Sequence, residues 1–287
     1  MCRKIQLLLS CLFLFQAISA ARLQAASGSG NPRIDIGPYV STISYDEPGI
    51  MNESGYMYGV QSALVWHGRR YANLFDSIRL EGVAGRGKVD YTSSQSGSMN
   101  GVNNTMYEAR AIFGREFSRK ASATYASYTG FGYRFLSDRT GGIISSEGYH
   151  GYDRESRYLY LPVGVSVASR MERGWLFDGS IEYDLFLKGI QDSHLSQASS
   201  SVYTYRDDVT NDQHTGYGLK VALRFTKLMR GGGRLAIEPF LNYWDIGTSR
   251  SSTYTRIRNA DASTALLKVW EPANRSTELG MKVLLLF

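Results

Sequence analysis

The chain has 287 residues, a formal net charge of +6, 43% hydrophobic residues and 13% aromatic residues. With only 20% charged residues beside that aromatic content, it is not an intrinsically disordered polymer. Two cysteines, Cys2 and Cys11, and four scattered histidines exclude a disulfide scaffold and a thiolate or histidine-rich metal centre, so no metal and no cofactor is expected.

At the N-terminus, Arg3 and Lys4 precede an apolar run over residues 5–18, and the small residues Ser19, Ala20, Ala21, Ala25 and Ala26 follow. A basic start, a short apolar core and small residues in that order make a secretory signal peptide. Residues 1–26 are therefore expected to be the signal and cleavage region, and 27–287 a single domain. The run is too short for a spanning helix, which needs ~20 residues. The modest positive charge does not call for nucleic acid as a partner.

The remainder alternates with a period of two. Ten runs stand out, over residues 33–45, 55–67, 75–91, 104–117, 121–136, 154–169, 175–188, 212–226, 234–246 and 275–287. They are longer than an ordinary strand of five or six residues and match the ~9–11 residues of a tilted strand crossing a bilayer. Leu279, Met281, Val283, Leu285 and Phe287 share one parity, and Glu278, Gly280 and Lys282 the other. The run 212–226 puts Tyr217, Leu219, Val221, Leu223 and Phe225 on one face and Lys220 and Arg224 on the other. In a membrane barrel the apolar row meets lipid and the charged row lines the lumen.

Connections alternate between long polar loops and short turns, the pattern of external loops and periplasmic turns. Arg69, Arg70, Arg119, Lys120, Arg170, Arg173, Lys227 and Arg230 are expected in the short periplasmic turns. Trp66 and Trp175 fall at the same ends, where an aromatic girdle belongs. The expected fold is all-β: a closed antiparallel transmembrane barrel of ten strands, or twelve if residues 253–258 and 265–270 add a hairpin to it. Pro38, Pro162 and Pro239 interrupt strand ladders and point to bulges or strand ends. Arg86 and Lys88 take lipid parity, which requires a bulge or a position above the membrane.

The closing row that ends on Phe287 resembles the C-terminal signature of bacterial outer-membrane barrels. That resemblance implies a Gram-negative cell envelope, export to the outer membrane, insertion by the barrel-assembly machinery through the last strand, and contact with outer-membrane lipid and lipopolysaccharide.

Lumen parity collects Asp178, Glu182, Lys220, Arg224, Glu238, Glu278 and Lys282, with both signs mixed. The short turn over residues 227–233 allows Arg224 to face Glu238 and Lys220 to face Asn242. Matching registers would set Asp178 against Arg224, Glu182 against Lys220, Glu238 against Lys282 and Asn242 against Glu278. The expectation is an internal charge ladder that sets register and narrows the pore.

Candidate chemistry is thin. Asp212-Gln213-His214 sits beside the fourth long loop and Asp90 beside the second. Ten strands, five external loops and this Asp-x-His are similar to the omptin proteases, a resemblance that implies a water-activating site built from Asp90, Asp212 and His214. No second Asp lies two residues from Asp90. His194-Leu195-Ser196 looks like the His-x-Ser pair of outer-membrane phospholipase A, without the Asn-Gly that follows in that family. The sequence favours a non-catalytic barrel, structural or porin-like and transport-related, with a narrow charge-lined lumen. A surface adhesin or recognition barrel that takes an extracellular ligand on its Ser-, Tyr- and Gly-rich loops is the alternative, and an omptin-like protease is another.

Overall fold

The computed structural model describes residues 32–71, 74–119, 122–229 and 232–287. The expected signal peptide, Lys120, Arg230 and Gly231 lie outside the described residues, as do the side chains of Arg69 and Arg70. Fourteen strands follow in order: β1 (Arg33–Glu47), β2 (Met51–Tyr71), β3 (Phe75–Ser93), β4 (Gly97–Arg119), β5 (Ala123–Arg139), β6 (Arg154–Arg170), β7 (Trp175–Ser193), β8 (Tyr203–Tyr205), β9 (Val209–Gln213), β10 (Gly216–Leu228), β11 (Arg234–Ile246), β12 (Ser252–Arg258), β13 (Ser263–Val269) and β14 (Asn274–Leu286).

Strands β1 to β7, β10, β11 and β14 pair in sequence, and β14 pairs with β1 to close an antiparallel barrel of ten strands. Closure leaves no sheet edge to strand N–H and C=O groups in hydrocarbon, at several kcal/mol each. At the seam, the Phe287 N–H donates to the Ile34 carbonyl at 2.9 Å and the Ile34 N–H to the Phe287 carbonyl at 3.2 Å. Among the described residues the only helical pieces are two short 3-10 turns, Glu172–Gly174 and Leu195–Ala198.

The outer surface is apolar where it meets lipid. Val60, Leu80, Phe131, Val163, Ile181, Leu219, Leu241, Leu279 and Val283 are all exposed. Arg119, Arg170, Arg173 and Lys227 sit at the short-turn end, which also holds both chain ends of the barrel. There Lys227 lies over the Trp175 ring at 5.3 Å. The long loops crowd the opposite end. Arg86 and Lys88 face outward, and β3 pairs in unbroken register with both neighbours from Ser77 to Val89, so no bulge accounts for them. Arg86 lies over Tyr58 at 5.6 Å.

Three sequence expectations need correction. Residues 253–258 and 265–270 do form a hairpin, β12–β13, but it adds no strand to the barrel and does not lengthen β11 and β14. It pairs with β8 in a separate sheet of three strands, because its residues find a partner in the preceding loop. The run 212–226 is two strands. β9 pairs with the outer end of β7, and β10 begins at Gly216, whose φ of +154° brings it against the backbone of Asp245 and Ile246. Pro38 and Pro239 shift no register, whereas the β6–β7 ladder does shift between Leu159 and Tyr160, two residues before Pro162. Pairing lapses near each proline with one neighbour only and resumes in the same register, so the missing N–H is a local loss.

The lumen is filled by side chains, and glycines decide where the largest fit. Gly132 stands directly opposite Tyr160, Gly164 opposite Tyr128, and Gly59 opposite Tyr39. A Cβ at Gly132 would meet the Tyr160 ring at 2.1 Å, and one at Gly85 would meet the Tyr39 hydroxyl at 1.8 Å. The inward glycines therefore admit inward tyrosines, which lie flat over the neighbouring strand. Gly132→Ala should displace Tyr160 and lower stability by about 1–3 kcal/mol in detergent unfolding. Gly233→Ala, with open space around it, should leave the unfolding midpoint unchanged.

Candidate functional site

Three layers occupy the inside of the barrel. Toward the short turns lies a charged chamber of about 310 Å³. Its inward positions come from alternate residues of β3, β4, β7, β10, β11 and β14. Arg110 bonds both Glu81, at 3.1 Å, and Glu182. Arg224 reaches Glu238 at 2.5 Å and Asp35 at 2.9 Å, and Lys282 reaches the other oxygen of Glu238 at 2.8 Å. Glu278 accepts from Ser41 at 2.8 Å and from Asn242 at 3.1 Å.

The strand registers are those written from parity: Arg224 opposite Asp178, Lys220 opposite both Glu182 and Asn242, and Glu238 opposite Lys282. The ion pairs follow those registers only in part. Asp178 stands opposite Arg224, whose Nε and Nη1 go to Glu238 and to Asp35 from β1. Glu182 bonds Arg110, and Lys220 turns to Glu108 at 2.6 Å. In a barrel this narrow, long side chains reach strands that are not adjacent in the sheet. Register therefore sets height while the lumen cross-section sets the partner.

Above the charged chamber sits a stopper. Trp244, Tyr158, Tyr160 and Phe186 point inward with at most 8% exposure, packed with Met57, Val89, Val102, Met106 and Leu136. Tyr160 meets Trp244 edge-on at 5.0 Å, Tyr158 lies 6.0 Å from Trp244, and Phe186 lies 5.6 Å from Tyr158. Lys220 ties this layer to the charges below: its ammonium donates to the Tyr160 hydroxyl at 3.1 Å and lies 5.0 Å from that ring. Tyr160 in turn donates to Glu108. Arg134 closes the layer over Trp244 at 5.6 Å. The charged residues alone do not reveal this layer. Its signal was present in the inward parity of Tyr158, Tyr160 and Trp244, and in the glycine opposite Tyr160.

Toward the long loops the lumen opens into a vestibule of about 690 Å³. Its floor is acidic. Arg154 pairs with Glu47 at 3.0 Å and with Glu271 at 3.4 Å, and lies over Tyr45 at 5.5 Å. Asp138 accepts from Asn104. Glu53, 4% exposed, has no hydrogen bond and no ion pair among the described residues. The walls are tyrosines of β3, β8, β12 and the loop before β6. The loops around the rim are held by Arg139, which reaches Asp153 at 2.8 Å and Glu155 at 3.2 Å.

The residues singled out for hydrolysis do not converge here. Asp90 is exposed on the outer face, where its carboxylate accepts the Gly101 N–H at 2.8 Å. Asp212 is ion-paired with Lys188 at 3.3 Å, both about half exposed, and His214 is exposed. Their inward neighbours are Asn211 and Gln213, both buried. A bulge is the cause. β7 carries one extra residue against β6 between Lys188 and Phe186, and β9 breaks from β10 at His214 and Thr215. Both strands change face together, so parity counted upward from Lys220 turns over before Asp212.

His194 and Ser196 form no triad either. The Ser196 hydroxyl donates to Asp208 at 2.7 Å, its N–H to the same oxygen at 3.1 Å, and His194 Nδ1 meets the other oxygen at 3.1 Å. Burial opposes the charge on Asp208, but these bonds, Ser196 first, hold its carboxyl below the usual range. A nucleophile would need its hydroxyl on the free Nε2 of the imidazole. This arrangement caps a loop. Among the described residues no group of three acidic, histidine or cysteine side chains is placed to hold a metal ion.

No protein-family model and no curated protein sequence matches the chain. Among solved structures, the outer-membrane protease OmpT from Escherichia coli is similar, with a TM-score of 0.58 and 11% identity over 91% of this chain and 98% of that one. The transport unit of the autotransporter AIDA-I from Escherichia coli gives 0.43 and 11% identity, covering 91% of each chain. The translocator domain of the autotransporter NalP from Neisseria meningitidis gives 0.40 and 11% identity, covering 95% and 96%. At such identity the likeness to OmpT is one of fold: a closed outer-membrane-type barrel with an omptin-like layout.

Two measurements follow from the two charged layers. Arg224→Ala leaves Glu238 and Asp35 without their shared guanidinium and should destabilise the refolded barrel by about 3 kcal/mol in urea titrations. Glu271 is 6% exposed in the connection before β14. Burial, then Glu47, outweigh Arg154 and push its carboxyl from 4.5 up to about 7. The folded state thus favours the protonated acid. This stability is fully present below the ordinary carboxyl value and is lost as pH rises through about 7. Glu271→Gln should flatten that decline, which is on the order of 1 kcal/mol or more, in thermal unfolding curves taken from pH 4 to 8.

Proposed function

We propose that this chain is a non-conducting outer-membrane barrel that acts by recognition at the cell surface, with the vestibule as its binding site. The stopper carries this reading. A porin needs a continuous wet path lined by polar groups or a ring of one charge. Here Tyr158, Tyr160, Phe186 and Trp244 close the middle of the lumen, and both charge signs are paired beneath them. The larger chamber opens on the long-loop side, where loops held by ion pairs and a small sheet form a built rim.

A porin-like role has less support for the same reason. An omptin-like protease has less because Asp90, Asp212 and His214 lie outside the cleft. Outer-membrane residence fits the outward chemistry. Arg86 and Lys88 on the outer face, with Tyr56 and Tyr58 beside them, suit phosphate groups of lipopolysaccharide. The terminal strand ending at Phe287 is the segment that assembly machinery would read.

Planar-bilayer recording of the refolded protein tests the reading. The wild type should show no unitary current above leak. Trp244→Ala combined with Tyr160→Ala should open discrete conductance steps. Steady steps from the wild type would refute the closed barrel.

A further inference from the structure

We infer that the vestibule is a binding site for an organic ammonium ion, seated between the Glu53 and Asp138 carboxyl groups and the tyrosine wall. The inference rests on the recognition reading above and names the chemistry of its ligand.

Four acids, Glu47, Glu53, Asp138 and Glu271, gather at the vestibule floor around one arginine. Arg154 is engaged by Glu47 and Glu271, and Arg139 by Asp153 and Glu155. The remaining two acids lie across β2 and β5 with no cation in contact. Asp138 has the amide of Asn104 as its neutral donor. Glu53 has neither hydrogen bond nor ion pair among the described residues, is 4% exposed, and lines the cavity. A nearly buried carboxyl group without a donor costs free energy unless it takes up a proton or a cation or donor reaches it. The open space that it borders is the vestibule.

The wall selects the kind of cation. Tyr91, Tyr149, Tyr152, Tyr205 and Tyr254 border the same cavity. Aromatic faces attract ammonium and guanidinium groups within about 6 Å, more strongly when water is excluded. Two such contacts are already made by the chain itself at this end of the barrel. Arg256 lies over Tyr203 at 4.5 Å and Arg154 over Tyr45 at 5.5 Å. Arg256 forms no ion pair with Glu53, and Arg154, whose charge acts on Glu53, has its ion pairs with Glu47 and Glu271. A bare divalent ion fits less well. Such ions take six or more oxygen ligands, or several waters, and no group of three ligating side chains is placed for one among the described residues.

Isothermal titration of the full-length barrel in detergent at neutral pH tests the inference, with butylammonium and tetramethylammonium as probes. Butanol, butyrate and calcium serve as neutral, anionic and metal controls. Both ammonium probes should bind saturably, and the three controls should not compete. Glu53→Gln should weaken ammonium binding at least tenfold, and Tyr254→Ala, at the mouth, several-fold. Each variant is first checked for the heat-dependent gel shift of a folded barrel. Equal binding of butanol, competition by calcium, or unchanged affinity in folded Glu53→Gln would each overturn the ammonium assignment. Absence of ammonium binding by a folded barrel that passes no current would overturn the ammonium site alone. Wild-type conductance would instead overturn the recognition reading beneath it.

Discussion

Every feature of this molecule depends on a sheet that has no edges. In hydrocarbon the backbone finds no water, so each strand must satisfy both of its sides, and the β1–β14 seam completes the ring. Closure then imposes a second demand. Ten strands enclose a space too narrow for an open channel, so half of all strand positions point into a lumen that side chains must fill. The lumen is the core of this protein, and its outer surface is apolar because lipid is the solvent.

Filling that core with mixed chemistry makes layers rather than a gradient. Where inward positions are charged, as at Asp35, Glu81, Arg110, Arg224, Glu238 and Lys282, opposite signs pair across the lumen. Where inward positions alternate between tyrosine and glycine, the rings fold over neighbouring strands and meet Trp244 in the middle. Lys220 joins the two layers. Its ammonium reaches Glu108 below the rings and the Tyr160 hydroxyl within them, so the stopper is anchored by charge as well as by packing. Above the stopper the strands run on beyond the apolar band and carry acids and tyrosines instead. The change from sealed core to open vestibule thus occurs along the same strands.

The β7–β9–β10 region shows how little is needed to move a site. One extra residue in β7 and a two-residue break before Gly216 turn the outer ends of these strands over. Asn211 and Gln213 go in, and Asp212 and His214 go out. A motif that shares residue types with a catalytic pair therefore lies on the wrong side of the wall, while the vestibule takes its polar groups from Glu47, Glu53, Asp138, Arg154 and Glu271.

By itself the sequence determined the architecture: ten strands, their order, the outward apolar face, and the registers that set Arg224 opposite Glu238 and Glu238 opposite Lys282. Period-two alternation is a local property of each strand, and short turns transmit it from one strand to the next. Only the tertiary structure decided which charges bond, what closes the lumen, and which way Asp212 and His214 face. Ion-pair partners such as Arg224 with Asp35, or Lys220 with Glu108, are set by distance across a curved interior that no adjacent-strand rule contains. The bulge that reverses β9 leaves the β7 pairing numbers unchanged on either side of it, so counting along the chain passes over it unseen. Glu53 and Asp138 line one cavity although β3 and β4 stand between their strands, because the sheet curves around the lumen.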